Sequence, residues 1–554
     1  MLLIILAFLA ILTTKETLAH SHNYTPSLTL VIVVDQFSPQ YFRHSQYFSK
    51  NGFNRLIKNG VVYKNARHMH GWPTTPTGHA AIATGAYACI HGFASYGNLD
   101  SANKFIEITR DLSGENLTYK SDGSLCKEGI SPKNLLVDTV SDQFVMSCSH
   151  NQKVIPHEAA AFALKTRASV PLAGNLGKAF WFDDGCMTTS QFYEKKHPDI
   201  LKKFNGKFKL KQGQQFHWKL VHGFRDAAYQ YPEALNYKHS AVKPGVKNTV
   251  SKFTIDYKNH ETLAEFSRSP FASKMLFNLA RYYIARNRKK NLLVYISLSN
   301  FDLLGHLVGP DNLHQIDLLY HIDRQLADFL EFAEKCYGSK KVLTILTGDH
   351  GVSHLPEVLN NQGFMQAERI SSKTLEEKIN DAIEKEFGLK KIVQRFESPQ
   401  FYFDRAVIDH LNELKKSMIY QKAKEVLLAE PAILDAWSEL DFEKGTGVGE
   451  KNRSYFKLFA KQYLKGKSGQ LFFLAKPNKM ITDYKTGTSH STPYRYDAQV
   501  PLVIHQRLKF KPKEVYEPVS MLSLAATQSL LMGINAPSVA NQNFLPGISF
   551  GKTG

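Results

Sequence analysis

The stretch LTLVIVVD, residues 28–35, decides the fold class. An uncharged run of apolar and β-branched residues with no polar alternation is how a strand buried on both faces reads. Its last residue, Asp35, puts a carboxylate at the carboxyl end of that strand. That edge is where open α/β sheets place their ligands.

Working outward, two later runs have the same form. Residues 292–297 (LLVYIS) lead into Asn300-Phe301-Asp302-Leu303-Leu304-Gly305-His306, and residues 342–346 (VLTIL) end in Thr347-Gly348-Asp349-His350-Gly351. Between them, residues 312–336 repeat apolar side chains every three to four positions, which predicts a long helix; residues 270–286 predict an amphipathic one. Residues 47–59 have roughly helical spacing, and 60–63 read as the following strand. An Ala-rich pattern in residues 154–173 predicts a helix leading into Leu164-Lys165-Thr166-Arg167. Residues 360–470 bring two or more charged helices, one over 406–428, around a short strand at 400–403. The chain then returns with residues 471–474, and 500–504 form the last convincing strand. Strands alternating with helices on this scale predict an α/β fold. The 554 residues exceed one small core, and residues 100–150, 195–265 and 360–470 are expected to be insertions.

The segment WPTTPTGHAAIATG, residues 72–85, has the composition of a helix start: Pro and Gly fix a bent entry, Thr caps, and small residues allow close packing on a sheet. A hydroxyl there faces the free N–H groups of the helix, a ready anion site.

With 43% hydrophobic and 21% charged residues the chain is ordinarily globular, which excludes disorder as its organising principle. A formal net charge of +19 favours acidic partners or substrates by long-range steering. Charge alone fits nucleic acid, phosphate esters or an anionic membrane surface equally. The basic stretch 202–211, with Phe204 and Phe208, is accounted for as solvated surface, so no dedicated nucleic-acid partner is expected. Residues 1–19 read as a secretory signal, with an apolar run at 2–12 and small residues at Thr17-Leu18-Ala19, although the only nearby cation, Lys15, follows that run. The expectation is an exported protein, periplasmic or secreted, with no membrane span in the mature chain, since no later stretch reaches ~18 apolar residues. Cleavage after Ala19 would expose His20-Ser21-His22, a square-planar Cu²⁺ or Ni²⁺ chelate by its chemistry and a frayed tail by the ordinary reading. Cys89, Cys126, Cys148, Cys186 and Cys336 form no CxxC, so no thiolate zinc site is expected; one or two disulfides would leave an odd cysteine.

Three carboxylates, Asp35, Asp302 and Asp349, and three imidazoles, His306, His350 and His490, gather at strand ends or in the Gly/Ser/Thr loop before the last strand. Singly, each is an ordinary turn or surface residue. Together they suit two Zn²⁺ ions, each with three protein ligands and an open position. One helical turn puts Asp302 and His306 on one face. Asp349 and His350 converge only if the chain bends sharply, which the flanking glycines permit.

The motifs VIVVDQ, TPTGHAAIATG, FDLLGHLVGPD, LTGDHG and GTSHSTP, in that order between residues 28 and 504, resemble the metal-site motifs of the alkaline phosphatase superfamily. The resemblance implies an alkaline-phosphatase-like α/β fold: a mixed, mainly parallel central sheet flanked by helices, with inserted cap segments. It implies two Zn²⁺ ions, one held by Asp35, Asp349 and His350 beside the nucleophile, the other by Asp302, His306 and His490. The nucleophile, also a metal ligand, lies four residues before the motif's histidine, at Thr75. A displaced proline, with Thr77 in its usual place, keeps Thr74 and Thr77 open as well. Sulfatases of the superfamily need a Cys or Ser for formylglycine and an Arg where His79 stands, so that branch is excluded. Lys165-Thr166-Arg167 resembles the Lys-x-Arg element of the PafA-type periplasmic alkaline phosphatases, and Asn98 their phosphate-binding asparagine. The implied activity is hydrolysis of small phosphate monoesters through a phospho-threonine. Asn98, Lys165 and Arg167 would hold the non-bridging oxygens, and two added cations reward the extra charge of a monoester dianion. The alternatives are a phosphodiesterase or nucleotide pyrophosphatase of the same fold and, more remotely, a non-catalytic binding protein on a phosphatase scaffold.

Overall fold

In the computed structural model of the protein, residues 25–548 are described apart from 101, 149–154, 224, 230–251, 258–259, 365, 446–452 and 542. The signal-peptide reading and the His20–His22 chelate fall outside the described residues. β1 (Leu28–Val34) is buried along its whole length. It lies inside a ten-stranded sheet with β2 (Val61–Arg67), β3 (His157–Phe162), β4 (Lys178–Asp183), β5 (Cys186–Thr188), β6 (Asn291–Leu298), β7 (Val342–Thr347), β8 (Gln499–Gln506), β9 (Lys513–Val515) and β10 (Val519–Ser520). The order is β5-β4-β3-β6-β1-β7-β8-β2-β9, with β10 also on β2. Strands β4, β3, β6, β1 and β7 run parallel, while β8 is antiparallel to both β7 and β2. The sheet is thus mixed and mainly parallel, with helices on both faces.

The faces follow from the two-residue period of a strand. Leu30, Ile32 and Val34 join a core under α3 (Pro270–Arg286) and α5 (Leu313–Tyr337). Val31 and Val33 join another under α1 (Thr75–Thr84) and α2 (Thr166–Ala173). Register then levels the functional edge: Val33 pairs with Ser297 of β6 and with Thr347 of β7. The residues just beyond these three strands, Asp35, the helix α4 (Asn300–Val308) and Asp349, therefore emerge side by side.

Several elements differ from the sequence expectation. The Ala-rich segment is strand β3, with helix α2 starting only at Thr166. Ala159, Ala160 and Ala161 are fully buried between β6 and β4, so tertiary packing overrides alanine's helical preference. Residues 47–59 are not one helix: a 3₁₀ turn ends at Tyr47 and a short helix occupies Phe53–Asn59. Residues 406–428 divide into Arg405–Ile408 and Glu413–Leu428, because Asn412 caps the second helix through the Lys415 N–H. Leu471–Ala475 does not return to the central sheet; it pairs with Gln400–Phe403 and Ile433–Ser438 in a separate four-stranded sheet completed by Val393–Glu397. That sheet has its own core, including Ile379, Phe403, Ile419 and Phe473. All five cysteines are free thiols.

Two buried polar groups pin peripheral segments to the loops and helices around the sheet. Gln462 accepts from the Trp72 N–H at 2.9 Å and donates to the Trp72 and Ala94 carbonyls at 2.8 and 2.9 Å. Asp317 on α5 accepts from Trp218 Nε1 at 2.6 Å, from the Val221 N–H at 2.8 Å and from the Tyr229 hydroxyl.

Candidate metal centre and active site

Four chain segments meet at the levelled edge. Asp35 follows β1, Asp302 and His306 lie one turn apart on α4, Asp349 and His350 follow β7, and His490 comes from the loop ahead of β8. His306 Nε2 is 3.1 Å and His490 Nε2 3.8 Å from Asp302 Oδ1. His350 Nε2 is 3.4 Å from both Asp35 Oδ1 and Asp349 Oδ2. Donor atoms of Asp302, His306 and His490, and those of Asp35, Asp302 and His350, fall within 4.8 Å of one another. All six ligand candidates are thus brought together, with Asp302 between the two groups.

The imidazoles are oriented by backbone. His306, His350 and His490 each place Nδ1 on a carbonyl, of Thr488 at 2.9 Å, Gly351 at 3.0 Å and Pro73 at 2.9 Å. A carbonyl only accepts, so Nδ1 carries the proton and Nε2 faces the cluster, the second-layer arrangement that prepares histidine for a metal. Asp35 Oδ1, Asp349 Oδ2, His350 Nε2 and His490 Nε2 are buried and make no hydrogen bond. Orphaned buried polar atoms are costly, and a cation among them would satisfy the whole set. The field agrees. Although burial opposes it, Asp349, Asp35 and Asp302 lift the His350 pKa to about 10, and Asp302 lifts that of His306. Burial and Asp302 push the Asp35 carboxyl up, yet Lys165 and His350 together hold it below the usual range. The same negative field that draws in protons and the Lys165 ammonium suits the group to a cation.

The three threonines of the 72–85 segment are distinguished by their partners. Thr74 Oγ1 lies 2.9 Å from Thr77 Oγ1, which donates to the Phe93 carbonyl at 3.0 Å. Thr75 Oγ1, at the first position of α1, is buried and makes no hydrogen bond. Lys165, just ahead of α2, extends its ammonium between Asp35 Oδ2 at 2.8 Å and Asp302 Oδ2 at 2.5 Å. The Arg167 guanidinium lies over the Tyr96 ring, 5.2 Å from its centroid. Asn98, half-buried on the short strand Gly97–Leu99, gives its amide to the Leu99 carbonyl at 3.2 Å; among the described residues no hydrogen bond joins it to the cluster.

Two neighbours of the cluster have contacts that the sequence reading does not assign, although it uses His79 to locate Thr75. His79 places Nδ1 2.8 Å from the Thr75 carbonyl and 3.3 Å from Asp349 Oδ2, while Nε2 meets Ser297 Oγ at 2.8 Å. It ties the start of α1 to the Asp349 turn and to β6, and its place one turn after Thr75 was the available signal. Tyr96 gives Arg167 an aromatic face, a cation–π contact no motif announces.

Set beside known proteins, the chain matches the family described as Type I phosphodiesterase / nucleotide pyrophosphatase over residues 29–497. The chain belongs to this family. Every ligand candidate, from Asp35 to His490, lies inside the matched range. Among curated relatives of this phosphodiesterase-family protein, alkaline phosphatase PafA of Elizabethkingia meningoseptica is 28% identical over 532 residues, 93% of each chain. A protein of Myroides odoratus named calcium-transporting ATPase is 25% identical over 541 residues, again 93% of each. The crystal structure of wild-type alkaline phosphatase PafA matches with a TM-score of 0.82 at 25% identity, covering 95% of this chain and 99% of that one. The family member described here is a PafA-like phosphoesterase of the alkaline phosphatase superfamily, with a buried Asp/His group suited to a metal ion. No helix among the described residues is long and apolar enough to cross a membrane.

Proposed function

We propose that this phosphoesterase is an exported phosphate monoesterase that holds two Zn²⁺ ions and works through a phospho-threonine. The observation that carries the reading is Thr75 Oγ1: a buried hydroxyl without a hydrogen bond at the head of α1, while its neighbours' hydroxyls are engaged. Asp35, Asp349 and His350 would hold the zinc nearer that hydroxyl, and Asp302, His306 and His490 the other. Zinc bound there supplies Lewis acidity, which lowers the pKa of the threonine hydroxyl and offsets charge on the leaving oxygen.

The chain's own residues do the rest. Thr75 Oγ1 attacks phosphorus in line; the bond to the leaving oxygen breaks, and the phosphoryl group remains on Thr75. Lys165 and Arg167 present cations, and Asn98 an amide, to the non-bridging oxygens as the loose transition state develops. His79 holds the Thr75 backbone against the Asp349 turn. Water then cleaves the phospho-threonine from the face the leaving group vacated, so two inversions give net retention. A monoester dianion has one more charged non-bridging oxygen than a diester, and that difference is what Lys165 and Arg167 would reward.

The family description favours the second reading, a phosphodiesterase or nucleotide pyrophosphatase on the same ligands. The Myroides relative's name shares with both the cleavage of a phosphoryl bond. The deciding experiment compares kcat/KM of the zinc-loaded protein on an aryl phosphate monoester and the matching methyl aryl diester. Preference for the monoester, lost in Lys165→Ala and Arg167→Ala, supports the monoesterase; preference for the diester selects the second reading.

A further inference from the structure

Gln36, the residue after the ligand Asp35, is the feature the chemistry above leaves unused. It is fully buried, and its backbone is left-handed, with φ 68°. A glutamine rarely adopts that conformation, so something nearby enforces it. Two hydrogen bonds do. Its side-chain Nε2 donates to Asp302 Oδ1 at 2.9 Å, and its backbone N–H donates to Asp349 Oδ1 at 3.1 Å. Asp349 Oδ1 also accepts the His350 N–H at 3.0 Å, so Oδ2 alone is left facing His350 and His79.

The amide lies across α4, and the helix is shaped to receive it. A Cβ on Gly305 would sit 1.9 Å from Gln36 Oε1 and 3.2 Å from Gln315 Nε2. The glycine beside His306 is there because the Gln36 amide occupies the space a side chain would need.

We infer that Gln36 is a positioning residue that couples the two metal sites, holding one carboxylate of each: Asp302 through its amide and Asp349 through its backbone. The inference rests on the two-zinc reading. Chemistry supports the choice of residue. Glutamine donates a hydrogen bond without bringing a charge, so it fixes Asp302 and leaves the attraction for a dication undiminished.

The test measures zinc stoichiometry and affinity by competition with a chromophoric chelator, together with the melting temperature of EDTA-stripped protein. The proteins are wild type, Gln36→Gly, Gln36→Asn and Gly305→Ala. Gln36→Gly keeps the N–H to Asp349 and relieves the left-handed backbone while removing the amide. Gln36→Asn keeps the amide but is one methylene too short for Asp302. Gly305→Ala displaces the amide with Gln36 still present. Each should weaken one of the two zinc ions by about 10–100-fold, the range seen when a ligand's hydrogen-bond partner is removed. Gln36→Gly should leave the second zinc and the stripped protein's melting temperature in place. Wild-type affinity at both sites in Gln36→Gly and Gly305→Ala overturns the inference. So does equal loss of both ions with a parallel fall in the stripped protein's melting temperature, the mark of a merely structural role. A wild-type chain that retains no zinc instead removes the metal reading, and the role of Gln36 with it.

Discussion

Gly78, the fourth residue of α1 counted from Thr75, is the most exacting test of how the proposed nucleophile and the Asp349 turn are held together. A Cβ on Gly78 would lie 2.1 Å from the Asp349 carbonyl oxygen, 2.8 Å from its carbonyl carbon and 2.9 Å from its Cβ. These atoms belong to the ligand turn itself, so no flexible side-chain tip can swing away. Ordinary contact begins near 3.4 Å, so the start of α1 and the Asp349 turn must part by about 3.4 − 2.1 = 1.3 Å in Gly78→Ala. Helix propensity alone favours alanine by about 1 kcal/mol, so any loss measures the clash. Overpacking of this kind costs about 1–3 kcal/mol of stability. A misplacement near 1 Å between reacting groups costs about 10²-fold in rate. The expected result is kcat/KM on a phosphate monoester about a hundredfold lower, with weaker zinc retention as Asp349 leaves His350. Steady-state kinetics and metal analysis on the same preparation read both. Wild-type kcat/KM and zinc content in Gly78→Ala would refute the claim that this close approach sets the register between Thr75 and the metal turn.

Two further outcomes follow from buried polar groups away from the ligands. Gln462→Ala strands the Trp72 N–H, the Trp72 carbonyl and the Ala94 carbonyl. At about 1–3 kcal/mol for each orphaned group, urea unfolding should show a loss of at least about 3 kcal/mol, and an unchanged midpoint would deny the clamp. Asp323 accepts the Ser49 and Phe53 N–H groups at 2.5 and 2.6 Å, and burial outweighs those bonds to push its pKa from 3.8 up to about 6. A raised folded-state pKa means this contribution to stability is full below the unfolded value and is lost as pH climbs through about 6. The shift corresponds to about 3 kcal/mol. In Asp323→Asn the part of the melting-temperature decline between pH 4 and 6 that this group causes should disappear; a profile parallel to wild type would contradict it.

The sheet was readable wherever a strand is buried on both faces and built of β-branched residues, as in residues 28–34 and 342–347, because that composition suits little else. His157–Phe162 was not, since an alanine run states small size and not backbone shape; its strand geometry comes from β6 and β4 on either side. Leu471–Ala475 reads as a strand locally, but which sheet it joins depends on Trp437 and Phe401, far away in sequence. At the site, residue type with strand-end or loop position points to Asp35, Asp302, His306, Asp349, His350 and His490, and the structure brings these six side chains together. Motif spacing points to Thr75; what sets its hydroxyl apart from those of Thr74 and Thr77 is the absence of a hydrogen-bond partner, which no one-dimensional pattern carries. The contacts of His79, which the motif marks only by position, and of Gln36 are hidden for the opposite reason: their types are ordinary, and only neighbours across the sheet edge give them a task.

The carbonyls that orient the three imidazoles have one more consequence. Thr488, Gly351 and Pro73 contribute main-chain oxygens, which every amino acid possesses, so no substitution at those positions deletes the acceptor itself. Side-chain scanning would pass over this support without registering it, and related sequences can drift there while keeping the same histidine tautomers. What those positions must preserve is the path of the backbone, and the left-handed Ser491 (φ 109°) beside His490 marks where that path is most demanding. Durability of the centre under mutation is therefore a property of chain trace more than of residue identity.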